Sequence, residues 1–98
     1  MAKGYIVFTE AVHDQDGINE YSAKAAGTIF PANGKPLVAS APDLILEGDW
    51  HGSQTVILEF PSIDEAMAWY ESPEYQEVIG ERMAAAESNV AVFPGLDL

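Results

Sequence analysis

Residues 5–12, YIVFTEAV, place apolar side chains on both alternating faces: Tyr5, Val7 and Ala11 on one, Ile6, Phe8 and Val12 on the other. That is the pattern of a strand covered on both sides. Cap-forming residues follow from Asp14 to Gly17, after which Ile18, Tyr21, Ala25, Ile29 and Ala32 recur at helical spacing until Asn33-Gly34 supplies a stop signal. Near that end Pro31 has no amide donor and crowds the carbonyl of Gly27, so the last turn is expected to be kinked or irregular.

The segments Leu37 to Ala41 and Leu44 to Glu47 read as one strand interrupted at Pro42, with a turn from Gly48 to Ser53. Thr55 to Phe60, TVILEF, is another strand apolar on both faces, so a hairpin is expected. Ser62-Ile63-Asp64-Glu65 is a capping box, and Ile63, Met67 and Tyr70 form the expected inner stripe of its helix. Ser72-Pro73-Glu74 repeats the start signal with proline at the first helical position, and Tyr75, Val78, Ile79, Arg82 and Met83 share one face of a third, shorter helix. Asn89 to Phe93 is the final strand, and Pro94 to Leu98 is a short tail.

The order is therefore β-α-β-β-α-α-β in one domain, residues 1–98. Without the extra short helix before the last strand it is the ferredoxin-like β-α-β-β-α-β arrangement, an α+β fold with a four-stranded antiparallel sheet. Helices in that topology cover one face of the sheet, while strands one and three are apolar on both. The most economical cover for the second face is the same face of another copy, which predicts a homodimer.

Composition narrows the range of partners. A hydrophobic share of 48% is that of a globular core, and a chain of 98 residues buries only about two-thirds of its unfolded surface, so burial by a partner counts. Sixteen acidic residues against four basic ones give a formal charge of -12, whose field repels phosphate backbones and anionic lipid surfaces. Nucleic acid and membranes are not expected partners. No apolar window is long enough for a bilayer span and no secretory leader is legible, so the expected location is cytoplasmic. With no cysteine, thiol nucleophiles, disulfides and thiolate metal sites are excluded.

Several residues are candidates for chemistry. Glu59 lies within TVILEF, where burial raises a carboxyl pKa unless a cation or hydrogen bonds hold it charged; it is a candidate general base, or else a paired structural acid. Arg82, the only arginine, sits among apolar neighbours, where its fork fits a carboxylate of a ligand or of the protein itself. His13 and His51 are the only histidines and candidate proton carriers, yet no metal-binding spacing accompanies them, so no metal is expected. Tyr5, Tyr21, Trp50, Trp69, Tyr70 and Tyr75 are candidate lining for a small-molecule pocket, or core and interface packing, with Trp50, Tyr70 and Tyr5 the leading candidates. No glycine-rich phosphate loop or nucleophile elbow is present, and no cofactor is expected.

At Glu47-Gly48-Asp49-Trp50, Leu58-Glu59-Phe60-Pro61-Ser62, Ala66, Trp69-Tyr70, Ser72-Pro73-Glu74-Tyr75 and Arg82, the chain resembles the domain-of-unknown-function 1330 family. The first half carries less: the strand at Tyr5, Glu20-Tyr21, and the Asn33-Gly34-Lys35 turn. The resemblance implies a dimeric α+β barrel, in a superfamily that includes cofactor-independent oxygenases, haem-degrading enzymes, isomerases and proteins with no assigned activity. Ala39-Ser40-Ala41-Pro42 departs from the family, standing where a basic residue and glycines are common. A fold shared by such different activities transfers no reaction. The leading expectation is a small cofactor-independent enzyme acting on a small organic carbonyl or carboxylate compound, with Glu59 or a histidine moving a proton and Arg82 orienting an anionic group. The alternative is a noncatalytic ligand-binding or structural homodimer. A third is a haem-binding variant with His13 or His51 as axial ligand.

Overall fold

Alternation in the two most β-branched segments sets the middle of the sheet. In a computed structural model, which describes residues 2–97, the strands are Gly4–Val12 (β1), Lys35–Ser40 (β2), Gln54–Phe60 (β3) and Ala86–Pro94 (β4). All neighbours pair antiparallel in the order β2-β3-β1-β4. The helices are Gln15–Ile29 (α1), Ile63–Tyr70 (α2), Pro73–Gln76 (α3) and Ile79–Ala85 (α4). Their buried side chains Ile18, Tyr21, Ala25, Ile29, Ala66, Trp69, Tyr75 and Ala85 close over Ile6, Phe8, Leu58 and Phe60 of the sheet in one core. The ferredoxin-like α+β arrangement is thus present, but within one chain the sheet is open rather than closed into a barrel.

Three boundaries and two inward faces depart from the sequence reading. Leu44 to Glu47 does not continue the second strand: β2 ends at Ser40, and residues 41–53 form a loop with Leu44 and Leu46 exposed. Pro42 has no amide to donate to the ladder, and β2 is the sheet edge, so nothing holds the chain extended beyond it. The third helix is broken into α3 and α4 around Glu77-Val78. Its exposed Met83 leaves the predicted inner face, while Tyr75 and Arg82 are buried. In α2 the inward stripe is Ala66 and Trp69, with Ile63, Met67 and Tyr70 half-buried at its flanks. The last strand starts earlier, at Ala86, directly from α4. Leu98, at the end of the predicted tail, lies outside the described residues.

The helix starts behave as their caps require. Asp14 accepts from the Gly17 amide at 3.0 Å, Ser62 from the Glu65 amide at 3.1 Å and Ser72 from the Tyr75 amide at 3.3 Å. Only half of the capping box forms, because the Glu65 side chain instead accepts from Asn33 Nδ2 at 3.1 Å. The end of α1 is irregular as Pro31 predicts: the helix stops at Ile29 and residues Phe30–Ala32 tighten into a 3-10 turn.

The 41–53 loop returns to the sheet through Gly52, whose φ of +78° is left-handed, and the Ser53 amide donates to the Glu10 carbonyl at 2.8 Å. A Cβ at this position would collide with the backbone of Glu10 and Ala11. We expect Gly52→Ala to lower stability by about 2–3 kcal/mol through combined strain and collision. Thermal or denaturant unfolding checks this; an unchanged midpoint would remove the close approach from the account.

Candidate functional site

One face of β1 carries a carboxylate in an otherwise apolar row. Ile6, Phe8 and Glu10 alternate inward, and Glu10 is 1% exposed. Register places Gln54 of β3 on one side of Glu10 and Ser88 of β4 on the other, so a polar line crosses the sheet beneath the helices. Gln54 Nε2 donates to Glu10 Oε1 at 3.2 Å.

The helices bring a second set of polar groups down onto that line. Arg82 of α4 is 3% exposed, donates from Nε to Tyr75 Oη at 3.2 Å and lies 5.5 Å above the Phe8 ring. Tyr75 Oη is 2.7 Å from Tyr21 Oη of α1. Arg82 has donors only, so the Tyr75 oxygen accepts from it. Tyr75 is completely buried, and its own hydroxyl proton has Tyr21 as its partner. The Tyr21 proton is then left to point elsewhere, and Tyr21 lines a cavity.

That cavity, about 150 Å³, lies between α1 and the sheet. Phe8, Leu58 and Trp69 provide its apolar walls, and Glu10, Gln54 and Tyr21 its polar groups. A single six-membered ring fits in such a volume. Burial pushes the Glu10 carboxyl up from its ordinary value, against the opposing pull of the Arg82 charge and the Gln54 hydrogen bond. Burial likewise pushes the Tyr21 and Tyr75 hydroxyls up, so both remain protonated donors at neutral pH. A carboxylate with a raised pKa beside a neutral hydroxyl donor is an acid/base pair facing one small apolar space.

The residues singled out from sequence are distributed over both faces. Glu59 projects from β3 on the face away from the helices, where Tyr5 Oη donates to it at 3.0 Å and Lys3 Nζ lies 3.4 Å away. Its pKa is lowered, first by the Tyr5 hydrogen bond, so it is a carboxylate held charged rather than raised by burial. Trp50 Nε1 donates to Thr55 Oγ1 at 2.9 Å and His51 Nδ1 is 2.8 Å from Thr9 Oγ1, which pins the 41–53 loop to the same open face. His13 is exposed at the turn into α1, and its backbone amide donates to the Ala85 carbonyl at 3.0 Å. Arg82 and Tyr70 lie on the helix side, where both line a shallow groove against β4. Glu59 and Arg82 therefore do not meet: the cation beside Glu59 is Lys3.

Glu10, Gln54 and Ser88 are not singled out by the sequence reading; of the aromatic residues it offers as pocket lining, Tyr21 and Trp69 line the cavity. Glu10 was legible, since it shares the parity of Ile6 and Phe8, and a carboxylate on an inward row is costly unless used or paired. Gln54 and Ser88 join it only through strand register. Among the described residues no group of three or more acids and histidines converges as a metal site, and no helix is long and apolar enough to cross a membrane.

Solved structures share this architecture at low identity. A protein of unknown function from Rhodopseudomonas palustris superposes with a TM-score of 0.76 at 18% identity, covering 99% of this chain and 85% of that one. A dimeric ferredoxin-like protein of unknown function from Jannaschia sp. CCS1 gives 0.75 at 15% identity, covering 93% and 97%. SnoaB, a cofactor-independent oxygenase from Streptomyces nogalater, gives 0.70 at 16% identity, covering 100% and 97%. At these identities the likeness is one of fold. No curated protein matches the chain. Residues 3–96 match the domain of unknown function DUF1330, and the chain belongs to that family.

Proposed function

We propose that this protein is a cofactor-independent enzyme that moves a proton on a small, largely apolar organic carbonyl compound bound between α1 and the sheet. The observation that carries this reading is Glu10: a carboxylate 1% exposed, with its pKa raised by burial, on the wall of an apolar cavity it shares with a hydroxyl donor. Glu10 takes the proton from a carbon next to the carbonyl. The C–H electron pair moves into the new carbon–carbon double bond, and the carbonyl pair moves to oxygen, where the Tyr21 hydroxyl stabilises the developing oxyanion. Arg82 acts through Tyr75, holding that hydroxyl's orientation by hydrogen bonds. The likeness to a cofactor-independent oxygenase supports chemistry that needs no bound group.

The working form in this reading is a homodimer. The open face presents Val38, Ile57, Val7, Ala91, Tyr5 and Phe93 in adjacent strands, with Phe93 half exposed. A structural neighbour described as dimeric supports a second copy there, and stacking two open faces would close a barrel across the pair.

The test is hydrogen–deuterium exchange at carbon in a panel of small ketones and phenols in D2O, followed by proton NMR, with oxygen uptake recorded alongside. Catalysed exchange is the expected result. Saturable binding without exchange or uptake would favour a noncatalytic ligand-binding dimer. A monomer by sedimentation at micromolar concentration would overturn the account of the open face.

A further inference from the structure

We propose that the groove between α4 and β4 is a second binding site, for small monocarboxylates with an apolar body, in which Arg82 and the Ser88 hydroxyl are the donors. Its lining includes Tyr70, Arg82, Met83, Glu87, Ser88 and Val90, and none of the cavity's lining residues. Arg82 also holds Tyr75 in the proton-transfer reading, so the groove is tested through Ser88 and Glu87, which have no part in that reading.

Two observations converge on it. Arg82 is a permanent cation, 3% exposed, whose Nε is used by Tyr75, and no carboxylate of the described residues forms an ion pair with it. The Glu10 carboxyl feels the Arg82 charge but makes no ion pair with it, so the buried guanidinium has no carboxylate in direct contact in a chain with sixteen acids. Second, Ser88 Oγ is a buried polar side-chain atom without a hydrogen-bond partner, the one such atom among the described residues. Buried hydroxyls are normally paired, so both groups lack the same thing, an acceptor.

The chemistry of the walls selects the class of acceptor. The guanidinium fork matches a planar carboxylate, and Tyr70, Met83 and Val90 offer apolar surface to whatever the carboxylate carries. The Glu87 carboxylate borders the groove, and with a chain charge of -12 it penalises a dianion more than a monoanion. Phosphate and sulfate are disfavoured on both counts.

The probe is benzoate, titrated at constant ionic strength into the full chain and followed by heteronuclear NMR, with sulfate as control. Saturable shifts are expected at the Arg82 Nε–H and at the Ser88 and Val90 amides. Ser88→Ala should weaken binding about tenfold, whereas Glu87→Gln should tighten it several-fold by removing the opposing charge. Neither substitution threatens the fold, since Glu87 is exposed and Ser88→Ala deletes an unpaired hydroxyl. The proposal is overturned if no shift saturates, if sulfate gives the same response, if Ser88→Ala leaves the affinity unchanged, or if shifts gather only at the cavity residues Tyr21 and Leu58.

Discussion

Glu10→Gln is expected to slow proton transfer from a cavity-bound carbonyl compound by about 10²–10⁴-fold while leaving the protein folded. The amide has the shape of the protonated acid and preserves the contact to Gln54, which can flip to suit it, but it cannot take a proton. The rate should follow ionisation of Glu10 in the wild type, rising with pH through a value above that of an ordinary carboxyl, because burial raises it. Stability should move the opposite way. A carboxyl whose folded pKa lies above its unfolded one favours folding fully below the unfolded value, and that contribution is lost as pH rises through the folded pKa. The glutamine variant has no such loss, so it should melt at or above the wild type at neutral pH, with the gap closing on acidification. Initial exchange rates against pH, paired with melting curves for both proteins, check the two halves separately. An active glutamine variant would remove Glu10 from the chemistry; a variant melting well below wild type at neutral pH would mean that the charge is structurally required.

Trp69→Ala is expected to cost about 3–5 kcal/mol of stability, the largest single loss in the chain. Trp69 is 2% exposed, its ring centroid lies 4.1 Å from that of Tyr75 and 5.7 Å from that of Phe60, and it meets Phe8 edge-on at 6.4 Å. Its Nε1 also donates to Thr28 Oγ1 at 2.8 Å, joining α2 to α1 across the core. Truncation would therefore open a void, leave the Thr28 hydroxyl without its donor and free the Tyr75 ring that carries the link from Arg82 to Tyr21. Domains of this size have total stabilities of roughly 5–15 kcal/mol, so the variant should be near the edge of unfolding. Denaturant titration with two probes is the measurement. A loss below about 1 kcal/mol would show that the core collapses around the vacancy and that the aromatic cluster is less interdependent than its geometry implies.

Between these two effects lies a division of labour. Phe8, Phe60, Trp69, Tyr21 and Tyr75 are buried between helices and sheet, and the two tyrosines of that cluster also carry the paired hydroxyls. Because stability and the proposed chemistry share Tyr75, its replacement by phenylalanine separates them better than any truncation does. The ring remains, and only the hydroxyl's links to Arg82 and Tyr21 are cut.

Strand parity, helix spacing and capping residues lie within a few positions of one another, so the chain by itself determined the element order, the caps at Asp14, Ser62 and Ser72, the irregular end of α1 and the inward rows of β1 and α1. The apolar character of both faces of the central strands was equally legible, because alternation is a local property. Tertiary structure decided the rest. Pairing register alone set Gln54 and Ser88 beside Glu10, and packing of α1, α3 and α4 over that row brought Tyr21, Tyr75 and Arg82 together although Tyr75 lies 54 residues beyond Tyr21 in the chain. The hydrogen bond from Tyr5 turned Glu59 into a settled carboxylate, and edge position ended β2 at Ser40 despite the apolar run that follows. The physical reason is the same throughout: propensity and periodicity act between neighbours in sequence, whereas desolvation and hydrogen-bond partnership are fixed only when distant segments meet.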